Sequence, residues 1–230
     1  MSKKYYIICG VMTALVLSAG VFFAYQQGYI FKKEAVLTPE KLLIFEIKDK
    51  NLSAGEARIY QENFNKALVR LRADQEDFTG WLFLGILKKG VGDYEGARDV
   101  WQYAAQLRPK SSPPFVNLAD LYANFLNQPQ KGLEMIKIAI ANEPNDINFY
   151  LMMADIYRYR LPGQEAMYET TMLEALQKFP DNANLIGPLA GYFRDTNQTN
   201  KAIQWYKELV RLLPDNAAAK ADLAELEAKQ

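Results

Sequence analysis

The stretch FTGWLFLGILKKGVGDYEGARDVWQYAAQLRP, residues 78–109, decides the fold. Its apolar and small residues recur at the spacings of two amphipathic helices, with Gly92-Asp93-Tyr94 at a turn between them. Proline then ends the second helix because it pushes the preceding residue out of the helical region. The residues that carry this pattern are Trp81, Leu84, Gly85, Ala97, Trp101, Ala104 and Pro109.

The same arrangement recurs three more times along the chain. Prolines at 109, 144, 180 and 214 are separated by 35, 36 and 34 residues. A period of this size is typical of helical repeats, in which each unit buries its apolar face only by stacking on its neighbours. The corresponding residues are Phe115, Leu118, Ala119, Tyr122, Gly132, Ile136, Ala139 and Pro144 in the second unit; Tyr150, Met153, Ala154, Tyr157, Tyr168, Met172, Ala175 and Pro180 in the third; and Ile186, Leu189, Ala190, Phe193, Ala202, Tyr206, Leu209 and Pro214 in the fourth.

This pattern resembles the tetratricopeptide repeat (TPR), whose units read W-x2-L-G-x2-Y, then A-x3-F, then P, over about 34 residues. The first unit meets each of these positions except the tyrosine, where Lys88 stands. The second and third units are one and two residues longer, and we place the additions in the turns at 127–129 and 161–163. Bulky Tyr168 replaces a small residue in the third unit. The resemblance implies an all-α fold, an α-solenoid of antiparallel helix pairs.

We assign four TPR units to residues 77–214 and a C-terminal capping helix to residues 215–230. Asparagine and aspartate side chains favour helix N-termini because their oxygens accept backbone N–H groups that lack a partner there. Such oxygens stand at 145–146, 181–182 and 215–216, and Ser112 offers one before Pro113.

Residues 38–76 precede the repeats and match them less well. Thr38 and Pro39 suit the start of a helix over residues 38–50, and Ser53 with Glu56 forms a capping-box pattern for a helix over 53–72. We interpret this region as a degenerate first repeat or an unrelated helical hairpin.

A long apolar run lies near the amino terminus. Residues 5–25 read YYIICGVMTALVLSAGVFFAY, after a tail of residues 1–4 and before a linker of residues 26–37. As a helix they would span roughly 31 Å, which matches a hydrocarbon core of about 30 Å. The alternative is a cleaved signal peptide, but the run is too long, and Val21 and the residues after it continue it past the small residues at 18–20. We predict one transmembrane helix.

Flanking charge gives this anchor a weak orientation. Lysines at 3 and 4, with the terminal amine, lie before the span and lysines at 32 and 33 follow it. The positive-inside rule then favours a cytoplasmic amino terminus and an extracytoplasmic soluble domain, although the opposite orientation stays open. Gly10, Ala14 and Ser18 are spaced four apart, and small residues on one helix face permit close packing in lipid, so we expect weak self-association there.

Composition excludes several kinds of function. The chain has 27 basic and 27 acidic residues, no histidine and a single cysteine. Without histidine it cannot build a Ser–His–Asp triad, a Cys–His pair or a histidine-ligated metal site. A balanced charge argues against nucleic-acid binding, which requires a basic surface. We therefore expect no enzymatic activity, no cofactor and no metal.

The TPR resemblance implies a binding groove formed by the first helix of each unit. Asp120 and Asp155 occupy equivalent places in neighbouring units, and we favour surface acids over a catalytic carboxylate pair because no other polar cluster completes a site. Together with Arg158 they suggest a ligand that carries a basic group. The positions that line such grooves in the family are here Leu82, Ile86, Lys89, Val116, Asp120, Asn124, Leu151, Asp155, Arg158, Tyr159 and Arg194.

Two functions are compatible with this architecture. The first is a membrane-tethered scaffold or adaptor that binds a peptide or protein partner in its groove. The alternative is a structural subunit of a membrane assembly, for example in cytochrome assembly or secretion, whose groove is filled by a neighbouring chain or by its own residues 42–45.

Overall fold

The computed structural model describes residues 38–229, which contain eleven α-helices and no β-strand. The predicted all-helical repeat fold is therefore confirmed for this part of the chain. The helices are α1 (Pro39–Leu42), α2 (Ala54–Ala73), α3 (Phe78–Gly90), α4 (Tyr94–Leu107), α5 (Pro113–Asn124), α6 (Pro129–Asn142), α7 (Ile147–Arg160), α8 (Ala166–Lys178), α9 (Ala183–Asp195), α10 (Thr199–Leu212) and α11 (Ala217–Glu227).

Helices α3 to α10 form four consecutive pairs, which we call units one to four, and α11 packs on the last of them. Three predicted N-caps form with side-chain acceptor distances of 2.9–3.0 Å; they are Asp146, Asn182 and Asn216. The cap expected from Ser112 does not form, because its buried hydroxyl donates instead to the carbonyl of Ala139 at 3.2 Å. Ser112 thus joins the two helices of unit two.

Close packing of a glycine on a tryptophan defines unit one. Trp81 and Trp101 are completely buried or nearly so. A methyl group on Gly85 would overlap the indole ring of Trp101, so only glycine lets α3 and α4 approach this closely. The Trp101 indole N–H donates to the Leu82 carbonyl at 3.1 Å, which fixes the ring.

The helix predicted over residues 38–50 is wrong beyond its first turn. Only Pro39–Leu42 is helical, and residues 43–52 contain no further helix; we call residues 43–52 the strap. The backbone N–H groups of Lys48 and Asp49 both donate to the Val91 carbonyl at 2.8 Å. The Val91 carbonyl thus accepts from two backbone N–H groups of the strap, which in a helix would have bonded to carbonyls of the same helix. The capping box of Ser53 and Glu56 is present, and α2 follows it.

Lys88, which replaces the family's tyrosine, holds the strap in place. Its buried ammonium donates to the Ile44 carbonyl and lies 3.1 Å from the Asp93 carboxylate. Lys48 of the strap pairs with the same carboxylate at 2.6 Å. Burial alone would raise the pKa of Asp93, but the two lysines outweigh it and hold this pKa below its ordinary value. The departure from the family pattern therefore has a structural role.

No helix within residues 38–229 is long and apolar enough to cross a membrane. The predicted anchor at residues 5–25, its association face of Gly10, Ala14 and Ser18, and the linker at 26–37 all lie outside the described residues.

Candidate functional site

The first helices of units one to four, α3, α5, α7 and α9, present a common surface, which we call the first-helix face. A hollow of about 460 Å³ opens on it between α5 and α7. Five of the predicted groove residues line this hollow, namely Asp120, Asn124, Leu151, Asp155 and Tyr159. The remaining lining residues are Asn148, Met152, Ile156 and Arg160.

The hollow combines an apolar wall with a polar rim. Leu151 and Met152 are half-buried and pack on the hydrophobic core, and Ile156 is buried. Tyr159 is 60% exposed at the rim of the hollow, so a partner can reach its side chain. A ligand side chain with a flexible apolar stem and a polar end would match this lining.

Ion pairs connect two neighbouring pairs of first helices along this face, and a third connects α9 to α11. Lys89 of α3 pairs with Asp120 of α5. Arg158 of α7 pairs with Asp195 of α9 at 2.9 Å. Further on, Arg194 of α9 pairs with Asp222 of α11 at 2.8 Å. We call these three contacts the inter-unit ion pairs.

Asp120 is fully engaged by its neighbours. Besides the pair with Lys89, it accepts a hydrogen bond from the Asn124 amide at 2.8 Å. The Asn124 carbonyl oxygen in turn accepts from Arg160 at 2.8 Å. The Lys89 ammonium also lies 4.4 Å from the Phe125 ring centroid, within cation–π distance. One edge of the hollow is therefore an ordered polar chain from α3 to α7.

Arg158 is held on the side of the fourth unit. Its guanidinium lies 5.2 Å from the ring centroids of both Tyr168 and Tyr192 and bonds Asp195. Burial raises the pKa of Tyr168 to about 12, so this ring stays neutral. Burial would also raise the pKa of Asp195, but hydrogen bonds from Arg194 and Arg158 hold it below its ordinary value. The bulky Tyr168 ring thus positions the Arg158 guanidinium through a cation–π contact.

Asp155 differs from Asp120 because it makes no hydrogen bond or ion pair with any residue in 38–229. Asp155 is an exposed residue, and it lines the hollow beside Leu151 and Tyr159. Partial desolvation there raises the pKa of its carboxyl, and the charge of Arg158 offsets only part of the effect. Asp155 is therefore a carboxylate without a partner in a concave site.

The other predicted groove residues lie outside this hollow. Leu82 and Val116 pack against the core, and Ile86 is 53% exposed on α3. Lys89, Arg158 and Arg194 are engaged in the inter-unit ion pairs described above.

Sequence reasoning missed four residues that line the hollow. Asn148 occupies position two of the family unit, one of the groove positions, and could have been found from it. Met152 and Ile156 fall at positions that the helical period assigns to the core. Arg160 follows the last groove position of the family.

Comparison with curated proteins gives partial matches, and no protein-family model matches the sequence. Protein O-mannosyl-transferase TMTC1 of Homo sapiens is 28% identical over 140 residues, which are 59% of this chain and 16% of that protein. Interferon-induced protein with tetratricopeptide repeats 2 of Homo sapiens is 26% identical over 135 residues, 57% of this chain and 29% of that protein. The chain thus spans less than a third of either relative.

Solved structures share the fold at low sequence identity. MamA superposes with a TM-score of 0.56 at 14% identity, over 73% of this chain and 98% of that one. PilW, described as a type IV pilus biogenesis factor, gives 0.53 at 17% identity, over 75% and 85%. YrrB, described as a TPR protein with an unusual peptide-binding site, gives 0.51 at 12% identity, over 71% and 82%.

The paired helices, the buried glycine–tryptophan contact and these likenesses define a helical-repeat solenoid. Within that class the chain shares the fold of the tetratricopeptide repeat protein YrrB.

Proposed function

We propose that this protein is a non-enzymatic, membrane-tethered TPR adaptor that binds a peptide or protein partner on its first-helix face. The observation that carries the proposal is the hollow between α5 and α7, which has an apolar wall, an exposed tyrosine and an unpaired carboxylate. Such a combination is typical of recognition sites, where a few polar groups orient a partner on an apolar surface. YrrB, which shares this fold, is described as having a peptide-binding site, and this analogy supports the same use here.

The membrane tether is proposed from sequence. Residues 5–25 are uncharged, about as long as a bilayer core requires, and have tyrosines near both ends. The linker of residues 26–37 would then place the repeats close to the membrane surface. A partner bound there would be kept near the membrane.

The packing of residues 42–45 argues against a groove filled by this segment of the chain. Leu42 is buried in the core of unit one, and the Phe45 ring stacks on Phe64 of α2 at 4.4 Å. Lys88 of α3 also donates a hydrogen bond to the Ile44 carbonyl. These contacts hold residues 42–45 against α2 and α3, so the segment does not occupy the hollow between α5 and α7. The structural-subunit alternative then requires a neighbouring chain in the groove.

Site-specific photocrosslinking of the full-length protein in its native membrane tests the proposal. Benzoylphenylalanine at Tyr159 should crosslink a partner, since this side chain stands at the rim of the hollow. The same probe at Glu174, exposed on the second helix α8, is the matched control and should not. Crosslinks from Glu174 alone, or equally from both positions, would move the binding surface away from the first-helix face.

A further inference from the structure

The inter-unit ion pairs have one gap, and it lies at the hollow. Counting eight residues on from Trp81, Phe115, Tyr150 and Ile186 gives the same register in each unit. Three of these residues are cations: two pair with a carboxylate on the next first helix, and Arg194 pairs with Asp222 of α11. The four residues in this register are Lys89, Ala123, Arg158 and Arg194.

Asp155 is the carboxylate that the gap leaves without a cation. It occupies in unit three the place that Asp120 occupies in unit two, since Asp155 follows Tyr150 by five residues and Asp120 follows Phe115 by five. Asp120 is paired with Lys89 of the preceding unit. The equivalent residue before Asp155 is Ala123, whose methyl group cannot supply a charge.

The basic side chains near the hollow form their ion pairs and hydrogen bonds with residues other than Asp155. Lys89 pairs with Asp120, and Arg160 donates to Asn124. Arg158 bonds Asp195 and lies within cation–π distance of the rings of Tyr159, Tyr168 and Tyr192. A nearby positive charge stabilises a carboxylate, and the charge of Arg158 acts on Asp155 in this way without a direct ion pair. None of these cations contacts the Asp155 carboxylate directly.

We propose that a lysine or arginine side chain of the bound partner fills this gap and pairs with Asp155. The inference rests on the proposed groove-binding function and specifies the chemistry of its ligand. The aliphatic stem of the partner's side chain would lie along Leu151 and Met152, as such stems commonly cover apolar surface. Tyr159, whose ring centroid lies 5.0 Å from the Arg158 guanidinium, borders the same site at its rim.

The charges around the hollow also limit how many basic residues the bound part of the partner can carry. Arg160 lines the rim, and Lys89 stands beside Asp120 on the far side, so a second cation next to the first would meet like charge. Like charges in close juxtaposition oppose binding. The site therefore favours a single basic residue flanked by apolar ones over a run of basic residues.

An array of random short peptides, probed with the purified full-length protein, tests this inference. The wild-type protein should select peptides with one lysine or arginine among apolar residues. Replacing the selected arginine by neutral, nearly isosteric citrulline should weaken binding about two- to fivefold, as loss of one exposed charge pair predicts. Asp155→Asn should abolish that difference while leaving residual binding through the apolar wall.

A further variant serves as the control. Asp222→Asn removes one carboxylate from an inter-unit ion pair outside the hollow, and should leave the preference for arginine unchanged.

The outcomes separate the inference from the proposed function. Peptides that bind on the first-helix face without preference for a basic residue, or with the same preference in Asp155→Asn, would overturn the inference and leave the adaptor function standing. If no peptide binds and no partner crosslinks from Tyr159, the groove-binding function itself is contradicted.

Discussion

Replacing Gly85 by alanine should destabilise unit one more than any other glycine-to-alanine change on a first helix. The added methyl group would overlap the Trp101 indole. This ring cannot move aside easily, because it is 1% exposed and its N–H is bonded to the Leu82 carbonyl. Units two to four carry alanine at the equivalent position, but there the facing residues are Ile136, Met172 and Tyr206 in place of tryptophan.

The magnitude follows from two opposing effects. Overpacking a close-packed core costs about 1–3 kcal/mol, and the rigid ring places this case at the upper end. Alanine is favoured over glycine within a helix by about 1 kcal/mol, which acts in the opposite direction. We therefore expect Gly85→Ala to lower the free energy of unfolding by about 2 kcal/mol.

Gly191→Ala is the matched control, since a methyl group there meets no atom within 4 Å. It should stabilise α9 by about 0.5–1 kcal/mol. Urea denaturation of the full-length chain, followed by helical circular dichroism, measures both. A Gly85→Ala protein as stable as wild type would show that α3 and α4 do not pack through this glycine. Adding Trp101→Phe to Gly85→Ala should recover part of the lost stability.

Three further predictions follow from the strap, the hollow and the anchor. Lys88→Met removes the buried partner of Asp93 and should cost about 3 kcal/mol, the lower end for a broken buried pair because Lys48 remains. It should also expose the strap to limited proteolysis, whereas Lys48→Met, at a more exposed site, should cost less than about 1 kcal/mol. Because the pKa of Asp155 is raised, its proton returns at a higher pH than in an unfolded chain. Binding of an arginine peptide should therefore fall on acidification while that pKa is crossed, stability of the free protein should rise slightly over the same range, and Asp155→Asn should show neither effect in a titration. A periplasmic or luminal reporter fused after Gln230 should be active, and activity of a reporter that works only in the cytoplasm would reverse the proposed orientation.

The repeat units were predictable from sequence because their packing is local and periodic. Gly85 and Trp101 are complementary in size and lie within one unit, so a short stretch of sequence contains both partners. The caps at Asp146, Asn182 and Asn216 are equally local, since each side chain bonds a backbone group two or three residues away.

The strap was not predictable in this way. Its conformation depends on Lys88 and Val91, which lie more than forty residues further along the chain. Within unit one, the only sign of the strap was Lys88 at a core position, because a buried ammonium group requires a polar partner. Tertiary hydrogen bonds outweighed the helical tendency that the sequence of residues 38–50 suggested.

The sequence predicted which residues lie on the first-helix face, but not which of their carboxylates form ion pairs. The helical register placed Asp120 and Asp155 on the first-helix face. Whether each carboxylate is paired depends on the residue at the equivalent place in the preceding unit, Lys89 for one and Ala123 for the other. That comparison requires the contact between units, which the structure supplies.

A charge exchange between Asp155 and the basic residue of a bound peptide is the most direct test of the proposed recognition. Asp155→Lys should weaken an arginine peptide selected by the wild-type protein, and replacing that arginine by glutamate should weaken binding to the wild type. Combining both changes should restore binding, giving a favourable coupling energy of about 0.5–3 kcal/mol in a double-mutant cycle. If the two losses simply add, the partner's basic residue does not contact Asp155.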